Sequence, residues 1–243
     1  MRGRIAFVGV VLVSLCSVVP PAFAGDPPLD AAGFAGLCAS GATTITGSVK
    51  VVGGSANFAS CHITMSERAK LSFVDVTTGS TTGDFFIDGG PKSKVSFKDS
   101  YITAFNGSAA ATLHISPGLG TSGGDGGAVK VDNTHLLAHT VLLDPSCDHN
   151  KGKVEVKGNS LEGIGGGDIT LRTSVCDSDL KGGKVSVSDA SLTTGNISLV
   201  TGSTGSTTVV RNNLSATTIQ ISGGKCKTKD NLLAGDPHDF PCT

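Results

Sequence analysis

One pattern recurs along this chain: Val-x-Val-x-x-Asn-x-Leu, an alternating apolar pair, a short polar interval and a further apolar residue. A clear copy is Val185-x-Val187-x-x-Ala190-x-Leu192. It returns from Val154, Val129 and Val95, and downstream from Thr207 and, in degenerate form, from Cys226; weaker copies start at Leu71 and Val49. The eight starts lie 22, 24, 34, 25, 31, 22 and 19 residues apart. A unit this short cannot bury its own apolar edge, whereas stacked copies can, so the repeat calls for a solenoid.

The local chemistry of each copy is that of a strand. Apolar residues alternate in short runs bounded by Gly, Asn and Asp, and helical periodicity is nearly absent after residue 40. A second alternating run follows each template: Ile63–Met65, Phe85–Ile87, Leu113–Ile115, Val141–Leu143, Ile169–Leu171, Ile197–Leu199 and Ile219–Ile221. In three copies the template Leu and the second run are five residues apart (Leu136–Val141, Leu192–Ile197, Leu214–Ile219), and length variation falls in Gly-rich connections. The sixth template position holds Ser100, Thr134, Asn159, Ala190, Asn212 or Asn231, small or amide residues expected at a bend, bonding local backbone and tolerating unusual dihedrals. A left-handed hexapeptide solenoid needs a strict six-residue rhythm, which these spacings lack.

Over roughly residues 45–233 the pattern resembles the right-handed parallel β-helix of pectate-lyase-like proteins and many bacterial surface proteins. The fold class expected is therefore all-β: a right-handed parallel β-helix solenoid of about eight coils. A short amphipathic helix at Leu29–Ala39 is expected to close its N-terminal end, and the tail Gly235–Thr243 the other. The divisions read as a signal peptide over 1–24, an N-terminal cap over 25–48, the parallel β-helix over 49–233 and a C-terminal cap tail over 234–243.

Arg2 and Arg4 precede an apolar run, Ile5 to Val19, too short for a membrane span; Ala22-Phe23-Ala24 then fits a signal-peptidase site, with Gly25 beginning the mature chain. No later segment is long and apolar enough to span a membrane as a helix, so a secreted or periplasmic location is expected. Six cysteines remain after cleavage, and an even number in an exported chain favours disulfides over metal or catalysis. The expected pairs are Cys38–Cys61, tying the N-terminal cap to the first coil, Cys147–Cys176 at matching points of adjacent coils, and Cys226–Cys242, stapling the tail.

Nineteen Lys and Arg against 20 Asp and Glu give a formal charge of −1, a balance offering nothing to nucleic acid, which needs clustered basic charge. Outward residues on the first strands read as ladder pairs, Lys130 with Glu155 and Asp132 with Lys157; Asp144, read as outward, should lie beside Arg172. Asp148, Asp177 and Asp179, with His149, form the densest acidic cluster and the candidate Ca²⁺ site; the commoner role of Asp in tight loops is turn formation. His135 and His139 read as surface residues. No Trp and a single Tyr, Tyr101, weigh against sugar stacking. No catalytic row is visible. The function expected is non-catalytic: a structural, adhesive or partner-binding protein of the cell envelope or exterior, meeting a surface or glycan. The alternative is a polysaccharide lyase or glycoside hydrolase acting on an acidic polysaccharide beside the insertions Ala104–Ala111 and Pro117–Gly127.

Overall fold

The computed structural model describes residues 22–23, 28–39, 43–58, 60–78, 83–104, 111–118, 125–145, 150–174 and 182–243. It is all-β apart from one helix, Ala31–Ala39. Apart from one terminal hairpin pair, every strand pairing among the described residues is parallel, each strand lying beside its counterpart from the neighbouring repeat. The strands of the eight template copies form an eight-stranded sheet from Ser48–Val52 to Lys225–Lys229, here called face 1. The starts align as the repeat requires: Val129 pairs with Val154, Val154 with Val185, Val185 with Thr207 and Thr207 with Cys226.

The interval after each template strand, expected to be a bend, contains a further ladder. Short strands including Thr77–Thr78, Tyr101–Ala104, Ser191–Thr193 and Asn213–Ser215 stack as face 2, carrying the template's eighth residue inward. The second apolar runs stack as face 3. Faces 2 and 3 join through His135–Leu143 and Ser160–Thr173, which run unbroken across both. Gly167 lies at that crossing, where an added Cβ would meet the His139 carbonyl oxygen at 1.7 Å. One register differs from expectation: Cys61, rather than Ile63, pairs with Phe85, and Ile63 pairs with Ile87. A two-residue shift keeps the same side chains inward, so the alternation could not detect it.

Inward residues of all three ladders form one core; Val131, Val156, Leu136, Leu161, Leu143 and Leu171 are fully buried. Toward the N-terminal end the core turns aromatic, with Phe73 stacked on Phe97 at 5.0 Å. The helix Ala31–Ala39 closes this end. Asp30 caps it through a bond from the Gly33 N–H (2.7 Å), and Phe34 meets Phe58 and Phe73 at 5.1 and 5.0 Å. Leu29 occupies the open edge of Ser48–Val52, bonding Lys50 and Val52. Cys38 is joined to Cys61 and Cys226 to Cys242, across separations of 23 and 16 residues, each worth about 3 kcal/mol by chain entropy. At the far end Thr243 donates to Ile221, and Thr228 to the carbonyl of buried Phe240.

The turn between faces 1 and 2 is the most regular feature. Its first residue, the template's fifth, has positive φ in every copy: Gly53, Asp75, Asp99, Asn133, Gly158, Asp189, Arg211 and Asp230, between 46° and 68°. Gly, Asn and Asp tolerate this region best. The unusual dihedral thus falls one residue before the expected position. From the second copy onward the sixth residue is buried, and where its side chain is polar it bonds mainly to the preceding coil rather than locally. Asn212 accepts from the Ala190 N–H (3.0 Å) and donates to Val187 O (3.1 Å); Asn159 accepts from the Thr134 N–H (2.8 Å) and donates to Val131 O (2.8 Å). Asn231 does the same for Asn212 and Val209, whereas Ser100 and Thr134 accept across the coils but donate within their own.

Removing one such amide strands a buried N–H and a buried C=O. Asn212→Ala is expected to lower unfolding free energy by about 2–4 kcal/mol in a denaturant titration, whereas exposed Asn213→Ala should change it by less than about 0.5 kcal/mol. Equal effects would remove the turn column's special role.

Candidate functional site

Cys147, Cys176, Asp148, Asp177 and Asp179 lie outside the described residues, so the expected third disulfide and the calcium cluster do too. Among the described residues no group of three His, Cys, Asp or Glu is placed to hold a metal ion. No described helix is long and apolar enough to cross a membrane.

Face 3 gathers titratable groups through its register. His62, Phe86 and His114 occupy successive positions of one outward row, with ring centroids 5.9 and 5.7 Å apart. His62 Nε2 lies 2.8 Å from Asp88 Oδ2, and Arg172 Nε donates to Asp144 Oδ2 at 2.8 Å. The Asp144–Arg172 pairing is as expected, but Asp144 is not an exposed outward residue: its side chain is 3% exposed. Desolvation by burial pushes the His114 imidazole below its usual 6.5, against the raising fields of Asp88 and Asp144 and with the lowering fields of Arg172 and His62. Hydrolysis of a glycoside calls for two carboxyl groups divided between acid and base or nucleophile. Here Asp88 is hydrogen-bonded to a histidine ring and Asp144 is paired with an arginine.

Face 1 holds the larger electrostatic feature. Because successive coils stack in register, outward template positions become rows. Strand starts contribute Lys70, Lys94, Lys153, Lys184 and Lys225, centres Lys50, Lys130 and Lys227, and ends Lys98, Lys157 and Lys229. All eleven are exposed. The acidic residues of these strands are Asp132 and Glu155. Lys130 does sit opposite Glu155, and Asp132 opposite Lys157, yet the ion pairs run along the strands: Lys130 binds Asp132 (3.2 Å) and Lys153 binds Glu155. The reason is reach, since residues i and i+2 share a face and a long ammonium stem spans them as easily as a rung. Among the described residues Lys50, Lys70, Lys94, Lys157, Lys184, Lys225 and Lys227 make no salt bridge. Lys70 pairs directly with Lys94, and Lys153 with Lys184. Like charges one rung apart oppose stacking. Lys70, Lys94, Lys130 and Lys153 border a depression of about 410 Å³.

Sequence reading missed this face because it weighed charge over the whole chain and tested only the second and fourth template positions. The lysine immediately before five of the eight template copies, at Lys70, Lys94, Lys153, Lys184 and Lys225, was the available signal.

His114 provides a pH test. Its lowered pKa means that the unfolded chain binds more protons than the native one once pH drops below 6.5. Its contribution to stability is therefore full above 6.5 and lost progressively as pH descends through the window between the unfolded and folded values. Denaturation at pH 7.5 and pH 5 should show a loss that His114→Gln reduces; an unchanged loss would place its origin elsewhere.

No family model, curated protein or solved structure matches the chain, so its function is argued from these surfaces.

Proposed function

We propose that this chain is an exported right-handed parallel β-helix of about eight coils that binds an acidic polysaccharide along face 1 without cleaving it. The single observation that carries this reading is the row structure of face 1: eleven exposed lysines against two acidic residues, in a chain whose formal net charge is −1. Segregation of charge onto one elongated sheet favours an elongated polyanion and speeds its capture. Rows repeat at about 4.8 Å along the stack, so one extended chain meets many ammonium groups at once and gains by multivalency.

Two further observations support it. Lysine is a flexible point charge, suited to carboxylate or sulfate at many angles rather than to one fixed bidentate geometry. Face 1 also presents no outward aromatic side chain in its eight strands, whereas single-stranded nucleic acid is ordinarily held by stacking as well as by charge. The two disulfides accord with an oxidising compartment. A signal peptide ending at Ala24, and the bridge between Cys147 and Cys176, complete the proposal.

Affinity electrophoresis through gels containing polygalacturonate, chondroitin sulfate or dextran tests it. The acidic gels should retard the protein and dextran should not, and binding should weaken by about tenfold or more between 50 and 200 mM salt, as released counterions dictate. Replacing Lys70, Lys94 and Lys184 together by Gln should weaken binding about tenfold and flatten the salt slope. Retardation equal in dextran, or unaltered by the triple substitution, would refute the reading. Tighter binding to duplex DNA at the same salt would reassign face 1 to nucleic acid. Release of reducing ends or unsaturated products from polygalacturonate would establish the alternative, a lyase or hydrolase.

A further inference from the structure

The turn column creates a second surface feature, at the corner between faces 1 and 2. A groove of about 540 Å³ lies over the turns that include Asp99, Asn133 and Gly158, and a second of about 580 Å³ continues it past Asp189 and Arg211. The two share Gly158 and Asn159. Gly158 has φ +64° and open space around the position of a Cβ, so no side chain stands between the halves. From Thr77 to Leu232 the corner spans six coil steps, about 29 Å at 4.8 Å per step.

Tyr101 and His135 form a platform in the first half. They are paired in register on adjacent coils, their rings are parallel to within 1°, and their centroids are 4.6 Å apart. Tyr101 is 41% exposed, one of two large hydrophobic side chains left exposed among the described residues. Burial lowers the His135 pKa, partly countered by Glu162, which favours the neutral imidazole in the stack. An exposed ring pair beside polar groups is the arrangement on which the apolar face of a sugar ring packs while its hydroxyls find hydrogen bonds. Those groups are present. Asn133 donates to Asp99 at 2.8 Å, and Arg211 makes two bonds to Asp189 at 2.6 and 2.8 Å, pairs able to accept from and donate to hydroxyls.

Charge separates this corner from face 1. Each lining carboxylate is engaged, Asp99 with Lys98 (3.7 Å), Asp189 with Arg211 and Asp230 with Lys229 (3.4 Å), and Lys157 borders the groove beside Gly158. The lining carries paired charge rather than the rows of unpaired ammonium groups that mark face 1. We propose that the corner groove binds a neutral polysaccharide chain, with a pyranose ring seated on the Tyr101–His135 pair and the chain following the stack of turns. This site stands on different residues and a different ligand charge from face 1.

The chain contains no Trp and no Tyr other than Tyr101, so tyrosine emission reports on this platform alone. Cellohexaose, mannohexaose and xylohexaose are titrated separately, to about 10 mM, which detects millimolar affinity. At least one should change the emission saturably. Calorimetry with that sugar should show Tyr101→Ala binding weaker by about tenfold or more and Tyr101→Phe within about threefold of the unsubstituted protein. The triple substitution of Lys70, Lys94 and Lys184 should leave this binding intact while weakening retention on polygalacturonate. No saturable change with any of the three sugars would overturn the proposal, as would undiminished binding by Tyr101→Ala. Saturable quenching by a single-stranded oligonucleotide but not by the sugars would reassign the platform to nucleobases. Loss of neutral-sugar binding in the triple lysine variant would deny the corner its independence.

Discussion

Everything on the outside of this molecule depends on the turn between faces 1 and 2. In each coil a residue in the left-handed region reverses the chain, and in most coils the next side chain is buried and bonds across to a neighbouring turn. A buried backbone N–H without a partner costs about as much as a lost hydrogen bond. The amide column satisfies those groups by joining one coil to the next, so it fixes vertical register as well as shape. Ala190 interrupts the column, and there the backbone bond from Ser191 to Asn159 maintains the stacking. Among the Gly, Asn and Asp of these turns Arg211 is the exception, and its guanidinium is held by the Asp189 carboxylate one coil before it.

Exact register turns single residues into rows, and rows are what a polymer meets. A lysine recurring in seven of the eight face 1 strands is an isolated charge in sequence and a column of charge in the structure, and the same rule places Tyr101 on His135. The surfaces consequently differ although they share one core: face 1 carries unbalanced positive charge, the corner carries carboxylates paired with Lys or Arg, and face 3 carries Asp144 paired with Arg172 and Asp88 bonded to the His62 ring. Like-charge rows oppose stacking, so the core and the turn column must offset them. That cost sits on one surface, which is where a binding function concentrates local disadvantage.

Ends are the remaining problem of any solenoid, because they expose core and unpaired strand edges. At the N-terminal end Phe34 covers the aromatic core while Leu29 bonds the edge of Ser48–Val52, and Cys38–Cys61 ties the helix down. At the other end the last strand of face 1, Lys225–Lys229, presents lysines at alternate positions, which discourages edge pairing with another chain. Cys226–Cys242 and the bonds of Thr228 and Thr243 hold the tail there.

The sequence by itself determined the parallel stacking, the inward residues, both terminal caps and the Cys38–Cys61 and Cys226–Cys242 bridges, because period-2 alternation and a one-coil repeat are local properties of the chain. It could not separate registers that differ by two residues, as at Cys61 and Phe85, because both keep the same faces inward. Nor did it reveal that the polar interval carries a ladder of its own, since a two- or three-residue strand such as Thr77–Thr78 has too little alternation to be seen. Ion-pair partners along rather than across strands, the burial of Asp144 and the Tyr101–His135 platform were decided by tertiary structure alone. The last two depend on what the next coil places about 4.8 Å away, and that distance joins residues 19 to 34 positions apart in the chain, whereas the ion pairs depend on the reach of a lysine stem along its own strand.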